Sequence, residues 1–198
     1  NSLELAERLE MLGSTLDTGA DWDSAIVQLT ALSSRVEDGF SVLAEVLREP
    51  AFPEHELERM RAERLSDLAQ LRAEPRALAD VFFSRLLYVP ASRFARLAGG
   101  NETSIARVTR EPIVEYHEAY YRPNATALMI SGDITVEDAV KHASRGFGDW
   151  QGTAPEVTEP VDAQRFPGAQ VHIVHKADAP QSELRVGHLV EVEFGRQL

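Results

Sequence analysis

The stretch YYRPNATALMISGDIT, residues 120–135, changes from a helix end to a strand and then to a helix start. Arg122 and Pro123 end a helix, because proline lacks an amide hydrogen and disfavours helical backbone in the residue before it. Residues 125–131 form an apolar run between turn residues, which predicts a buried strand. Thr135, followed by two acidic residues, is typical of a helix N-cap. This part of the chain is therefore expected to close a first structural unit with a strand and a helix.

Similar local signals recur along the chain before this stretch. Two segments of loose alternation, residues 14–23 and 25–36, predict neighbouring strands that turn at Trp22 and Asp23. Apolar residues at helical spacing, early acids and terminal Gly or Pro predict the helices. The predicted helices cover residues 3–12, 40–47, 53–74, 77–87, 105–121 and 136–147.

The composition changes after residue 150. Residues 151–166 contain prolines, several acids and little periodicity, which is typical of a linker. Residues 170–174 and 183–192 predict strands of a second unit. We expect a first domain over residues 1–150, a linker over 151–168 and the start of a second domain over 169–198. The chain begins with asparagine and its last strand-like run breaks off, so we expect it to be a piece of a longer protein, truncated at its N-terminus.

Charge and composition exclude several classes of protein. The 198 residues are 43% hydrophobic and 26% charged, a balance typical of a chain that buries a core. A net charge of −12 leaves no basic surface for nucleic-acid phosphates. No stretch approaches the roughly 18 apolar residues of a membrane span. The absence of cysteine excludes disulfides, thiolate zinc sites and thiol nucleophiles.

Side chains that could bind a metal or a nucleotide form no recognised motif. His172 and His175 are three residues apart on a predicted strand, where they point to opposite faces. His117 and Glu118 imitate the start of a helical zinc motif, but no second histidine follows one turn later. The glycine pair at residues 99–100 lacks the lysine and hydroxyl residue of a phosphate-binding loop. No G-x-S-x-G sequence indicates a serine nucleophile.

Three blocks in this order resemble the pitrilysin/insulinase-like family of zinc metallopeptidases, which includes mitochondrial processing peptidase and its bacterial relatives. They are SLELA at residues 2–6 with TGA at 18–20, LAEVLREPAFP at 43–53, and the stretch at 120–135. The similarity continues through FGDW at residues 147–150 and QSELRVGH at 181–188. Each block alone is weak, but the ordered set is specific and covers nearly the whole chain.

The resemblance implies an α+β fold, a mostly antiparallel sheet covered by helices. In the family this domain occurs twice per half, and the halves close a chamber around an extended peptide. Catalytic members hold zinc on an H-x-x-E-H helix with a third glutamate ligand on a later helix. No H-x-x-E-H lies in residues 1–198, and in the family that helix would precede Asn1. We expect no zinc to be bound by this chain alone.

The later ligand helix can be placed by resemblance on residues 53–74. With the Phe-Pro pair at 52–53 as the anchor, the two spaced glutamates of the family fall on Met60 and Asp67. Met60 has no carboxylate, and Asp67 is one methylene shorter than glutamate. An alternative register uses Glu56 and Glu63, but it does not keep the alignment with the Phe-Pro pair at residues 52–53. Asp67 and Glu63 are therefore the candidate metal ligands if an H-x-x-E-H helix precedes the chain, whereas the acids of this helix by themselves are typical of an exposed, ion-paired face.

Three functions follow from the resemblance. The first is a non-catalytic half or companion subunit that encloses an extended peptide, with Arg185 as a peptide-binding residue and a second homologous half or subunit as partner. The net negative charge would then favour basic peptides. The second is a catalytic zinc peptidase whose metal helix precedes Asn1. The third is a structural subunit without enzymatic activity. The compartment stays open, with a bacterial periplasmic setting as the expectation from the family.

Overall fold

The computed structural model describes residues 2–157, 165–179 and 181–189. The chain divides into two compact units. Unit 1 comprises Asn1–Met60 and Val108–Val157, and unit 2 comprises Arg61–Arg107 and Thr158–Leu198. The described residues are rich in helix, and they contain one two-stranded antiparallel sheet, which lies in unit 1. The α+β class is confirmed, and the predicted domain boundaries at residues 150 and 168 stay predictions.

The sheet is a hairpin closed by an aspartate. Strand β1 (Thr15–Ala20) pairs antiparallel with β2 (Ala25–Thr30). In the turn between them, Oδ1 of Asp21 accepts hydrogen bonds from the backbone N–H of Asp23 at 2.8 Å and of Ser24 at 2.7 Å. An aspartate that binds the amides two and three residues later stabilises a tight turn. The prediction of two neighbouring strands is confirmed, although β2 is shorter than predicted.

Local signals mark the ends of several helices. Gly13 follows the first helix with φ of +59°, the left-handed conformation that glycine adopts at helix C-termini. Oγ1 of Thr135 accepts from the backbone N–H of Asp138 at 3.1 Å and so caps the last helix. None of the helices in the described parts of the chain is long and apolar enough to span a membrane. In chain order the helices are α1 (Ser2–Leu12), α2 (Val36–Arg48), α3 (Glu54–Ala73), α4 (Pro75–Leu87), α5 (Glu102–Arg107), α6 (Arg110–Tyr120) and α7 (Val136–Phe147).

Helix α2 packs against both β2 and α7, and small residues make the close approach possible. A Cβ added at the buried Gly39 would lie 3.0 Å from Cδ2 of Leu29. A Cβ added at Gly146 of α7 would lie 3.4 Å from Cβ of Ala44. Nη1 of Arg48 donates to the carbonyl of Gly146 at 2.7 Å, which satisfies an orphan carbonyl at the end of α7. These contacts make α2 the central helix of unit 1.

The interior of unit 2 contains Leu68 of α3 and Ala95, which are buried together with the polar Ser92. Nη1 of Arg61 on α3 donates to the carbonyl of Ile105 at 2.8 Å and so holds the end of α5. Buried apolar side chains contribute most of the favourable free energy of folding. Leu68 is the larger of these two buried apolar side chains, and it is therefore expected to contribute to the stability of the unit.

The prediction of one continuous helix over residues 105–121 is wrong, because two separate helices, α5 and α6, cover this range. Thr109, with extended backbone, is the N-cap residue of α6. Pro112 lies in the first turn of α6, where its missing N–H breaks no hydrogen bond. In a continuous helix the ring of Pro112 would instead clash with the carbonyl of Val108. The chain therefore restarts the helix just before the proline.

The predicted buried strand over residues 125–131 is also wrong. A short 3₁₀ turn covers Pro123–Ala125, and residues 126–131 form neither a helix nor a strand. Among the described residues no neighbouring strand pairs with them, and Met129 is 91% exposed. An apolar run indicates a segment that can be buried in a sheet, but a strand forms only where a second backbone supplies the hydrogen bonds.

The strands predicted over residues 170–174 and 183–192 are not formed in the described part of those ranges. Residues 170–174 and 183–189 form no strand, and residues 190–192 lie outside the described residues. Val171 and Ile173 are 89% and 91% exposed. The alternation that predicted these strands needs a second strand beside it, and the described residues of unit 2 supply none.

Candidate functional site

Helix α3 carries the two carboxylates that the sequence offers as candidate metal ligands. The carbonyl of Pro53 accepts from the backbone N–H of Glu56 and of Leu57, both at 3.1 Å, and so begins the helix. Glu63 and Asp67 are four residues apart, and this spacing places two side chains on the same face of a helix. Both are exposed. The structure thus brings the two candidates together on the surface of α3.

These carboxylates do not complete a zinc site among the described residues. Oδ2 of Asp67 lies 3.8 Å from Nη1 of Arg64, and the Asp67 side chain is 57% exposed. Met60, in the other position of that register, carries a thioether and no carboxylate. Within residues 2–157, 165–179 and 181–189, no three His, Asp or Glu side chains form a group that could hold a metal ion. Because protein zinc sites use three or four protein ligands, the described residues alone do not fit zinc.

Glu56, the candidate from the alternative register, accepts hydrogen bonds from other side chains of unit 1. Oγ of Ser2 donates to Oε1 of Glu56, and Nε of Arg59 donates to Oε2 at 2.9 Å. The Ser2 hydroxyl, and after it the Arg59 guanidinium, hold the pKa of Glu56 below its usual value. The Glu56 side chain is 18% exposed. Its oxygens link the start of α1 to the first turns of α3.

Two side chains of α6 hold the turn between α2 and α3. Phe52 has φ of +44°, a left-handed conformation that is rare for an aromatic residue and persists only where the surroundings enforce it. Nε of Arg110 donates to the carbonyl of Phe52 at 2.8 Å, and Nη2 donates to that of Ala51 at 3.1 Å. Nε2 of His117 lies 2.8 Å from the carbonyl oxygen of Leu47. His117 therefore acts as a structural contact.

Sequence reasoning missed Arg110. Prolines at positions 50 and 53 indicate a tight turn. The arginine that holds this turn lies 58 residues after Phe52, however, and no local pattern relates the two. The ring of His117 also meets the Phe52 ring edge-on, with centroids 5.6 Å apart. Arginine and histidine together stabilise the strained conformation of Phe52.

Arg185, which the resemblance implies in peptide binding, joins the segment at residues 181–189 to α4. Nε of Arg185 donates to Oδ1 of Asp80 at 2.5 Å, and Nη2 donates to the carbonyl of Arg76 at 3.1 Å. Nη1 donates to Oε2 of Glu183 at 3.3 Å and to the carbonyl of Leu184 at 3.1 Å. The Arg185 side chain is 26% exposed. A peptide oxygen would reach this guanidinium only by sharing or replacing one of these acceptors.

The charges of this cluster shift each other's pKa. The hydrogen bond from Arg185 holds the pKa of Asp80 below its usual value. The carboxylate of Asp80, followed by that of Glu183, raises the pKa of Arg185. Because the pKa of Asp80 is lower in the folded than in the unfolded chain, its ionised form stabilises the fold above the unfolded pKa. That contribution is lost as the pH falls through the lowered pKa.

Replacing Asp80 by asparagine is expected to reduce the loss of stability on acidification. The variant lacks the ionised partner of Arg185 and should be less stable than the wild type at neutral pH, with the difference vanishing at low pH. Urea unfolding over a series of pH values measures this. Asp17→Asn, which removes an exposed carboxylate of β1, is the matched control and should leave the Asp80 contribution in place. Parallel pH curves for Asp80→Asn and the wild type would contradict the linkage.

Three further histidines make local contacts. The His142 ring stacks on Phe40 with centroids 5.6 Å apart, and the His172 ring lies 5.4 Å from that of Phe166. Nδ1 of His188 lies 2.9 Å from the carbonyl oxygen of Leu189. The prediction that His172 and His175 share no metal stays a prediction.

Two family profiles match successive parts of the chain. The profile described as Insulinase (Peptidase family M16) matches residues 1–96, and that described as Peptidase M16 inactive domain matches residues 107–190. The helix-rich α+β fold and these two matches together point to one class of protein, the insulinase-like peptidases. The chain belongs to the insulinase-like peptidase family M16.

Similar proteins include subunits of two larger assemblies and a bacterial domain of known structure. Cytochrome b-c1 complex subunit 1 of Caenorhabditis elegans is 27% identical over 172 residues, which is 85% of this chain and 36% of the relative. The beta subunit of human mitochondrial-processing peptidase is 18% identical over 173 residues, 87% of this chain and 35% of the relative. The crystal structure of a peptidase M16 inactive domain from Pseudomonas fluorescens aligns with a TM-score of 0.72 at 25% identity, over 79% of this chain and 39% of that one. The chain thus spans about a third of the length of these curated relatives.

Proposed function

We propose that the protein is the non-catalytic, peptide-enclosing half or companion subunit of an M16 peptidase system. The observation that carries this proposal is the composition of α3. In the register anchored at Phe52, the positions of the two family glutamates hold Met60, which has no carboxylate, and Asp67, which is paired with Arg64. The match of residues 107–190 to the M16 inactive domain supports the same conclusion.

Peptide enclosure would use main-chain hydrogen bonds. Residues 126–131 and 183–189 belong to no helix or strand and have no strand partner among the described residues. An extended peptide can add a strand to such a segment, with backbone bonds for affinity and side-chain pockets for selectivity. The net charge of −12 favours a basic peptide. Arg185 is then a proposed peptide contact, and a second homologous half or subunit supplies the opposite wall of the chamber.

The test is to mix the protein, purified without chelator, with a fluorescent, unstructured basic peptide, in the presence and absence of added zinc. We expect saturable binding and a peptide that stays intact under both conditions. An Arg185→Gln variant should bind more weakly if Arg185 contacts the peptide, and Arg107→Gln, which changes an exposed arginine of α5, is its matched control. Mass spectrometry of the peptide distinguishes binding from cleavage.

Two other results would replace this function by an alternative. Cleavage of the peptide, together with about one tightly bound zinc per chain by elemental analysis, would mean a catalytic peptidase that uses ligands outside the described residues, with Asp67 or Glu63 completing the set. Absence of binding in the folded protein would mean a structural subunit. The similarity to a protein named cytochrome b-c1 complex subunit 1 favours that second alternative.

A further inference from the structure

The exposed face of α6 displays a stacked pair of tyrosines. Tyr116 and Tyr120 are 59% and 39% exposed, and their ring centroids lie 4.7 Å apart with 32° between the ring planes. Pro112, one turn earlier on the same face, is also exposed. Exposed tyrosines that contact each other present a broad apolar surface with accessible π-faces. Residues Pro112, Tyr116 and Tyr120 are called the tyrosine face below.

A second side of α6 is held firmly within unit 1. Arg110 donates to two backbone carbonyls of the turn before α3, and His117 contacts the carbonyl of Leu47. The His117 ring also packs against Tyr121, with centroids 4.7 Å apart. A surface on a helix that is fixed in this way needs little reordering when it binds a partner. The tyrosine face is therefore preorganised.

The exposed charged side chains of α6 are acidic. Helix α6 contains three glutamates, Glu111, Glu115 and Glu118, all of them exposed. Its single arginine, Arg110, is directed at backbone carbonyls on the other side. The backbone N–H of Glu111 itself, followed by the Thr109 hydroxyl, holds the pKa of Glu111 below its usual value, so this carboxylate is ionised at neutral pH.

The charge of the whole chain is concentrated in the same unit. The segments of unit 1 contain 21 Asp and Glu against 8 Arg and Lys, a formal charge of −13, whereas those of unit 2 contain 11 against 12, a charge of +1. A negative field of this kind attracts cationic partners to unit 1. Tyrosine faces attract cations as well, and arginine more than lysine, because the planar guanidinium can stack on a ring.

We propose that the tyrosine face, together with Glu115, is a docking surface for an arginine-containing segment of a partner protein. A guanidinium stacks on the Tyr116 or Tyr120 ring while Glu115 accepts its hydrogen bonds. This surface lies on α6 and involves neither Arg185 nor residues 126–131 and 183–189, so the inference does not depend on the peptide-enclosing function.

The test is a titration of the chain with a short disordered peptide in which arginine alternates with proline and alanine, followed by NMR of the tyrosine ring signals. Two matched peptides carry lysine or the neutral citrulline in place of each arginine. We expect the arginine peptide to shift the Tyr116 and Tyr120 ring signals, to bind more tightly than the lysine peptide, and to lose binding when citrulline replaces arginine. The ring signal of Tyr88, which packs on Phe94 in unit 2, should stay in place.

Variants separate docking from general charge attraction. Tyr116→Leu should weaken binding about two- to fivefold, the value of one exposed cation–π contact, and Tyr116→Phe should restore it. Glu115→Gln should weaken binding, whereas Glu7→Gln on α1 should not. Equal affinity for the arginine and lysine peptides with no effect of Tyr116→Leu would overturn the proposal. Shifts of both tyrosine signals on raising the chain concentration without peptide would overturn it in favour of a second copy.

Discussion

Replacing Leu68 by alanine is expected to lower the free energy of unfolding by about 3 kcal/mol, within the range of roughly 2–5 kcal/mol for truncated core leucines. Leu68 on α3 is 3% exposed and is the larger of the two buried apolar side chains described in unit 2. The variant loses the transfer free energy of the removed carbons and leaves a cavity that the rigid helix can fill only in part. Urea unfolding followed by far-ultraviolet circular dichroism measures the change.

Met60→Ala is the matched control for this prediction. Met60 lies on the same helix but is 59% exposed, so its truncation should change the free energy of unfolding by no more than about 0.5 kcal/mol. Methionine and leucine have similar helix propensities, so replacing either by alanine changes the helix propensity by nearly the same amount. The two variants therefore differ mainly in the burial of the side chain that is removed. A Leu68→Ala variant as stable as Met60→Ala would show that α3 does not pack as described.

Replacing Gly39 by valine is expected to lower the free energy of unfolding by about 2 kcal/mol, the middle of the range for overpacked cores. Gly39 is buried in α2, and a Cβ there would lie 3.0 Å from Cδ2 of Leu29 and 3.2 Å from Cβ of Ala31. The two further methyl groups of valine would force α2 away from β2. The better helix propensity of valine recovers only a few tenths of a kcal/mol.

Gly19→Val provides a matched control on the neighbouring hairpin. No atom lies within 4 Å of a Cβ added at Gly19, and valine favours extended strands, so this variant should be neutral or more stable. Both Trp22 and Trp150 belong to unit 1, and tryptophan fluorescence during urea unfolding therefore reports on the unit that contains both glycines. Equal stabilities of the two variants would rule out the close approach of α2 to β2.

Local signals predict the helices and the hairpin well, because these elements use bonds between residues a few positions apart. The cap formed by Thr135 and the turn closed by Asp21 each join residues no more than three positions apart. The strand predicted over residues 125–131 fails for the opposite reason, since its hydrogen bonds require a distant backbone. Pro112 carried the signal for the break between α5 and α6, and the apolar periodicity on either side of it concealed that signal.

In the candidate site, too, the sequence predicts what depends on neighbouring residues and misses what depends on distant ones. The resemblance located α3 and drew attention to Glu63 and Asp67, and the helical period alone places them on one face. It also indicated Arg185, but the contacts of that guanidinium with Asp80 and Arg76 join residues 105 and 109 positions apart. No pattern in the sequence distinguishes an arginine that is held by its own chain from one that is open to a peptide.

The sequence by itself determined the family, the α+β class, most helix boundaries and the hairpin, since order of motifs, caps and turns are local properties of the chain. Only the tertiary structure decided which distant groups meet. Arg110 stabilises the left-handed Phe52, Arg185 is enclosed by acceptors of unit 2, and α6 leaves Tyr116 and Tyr120 exposed. The physical reason is that burial and long-range hydrogen bonds depend on the path of the whole backbone, whereas helices, caps and turns depend on neighbouring residues.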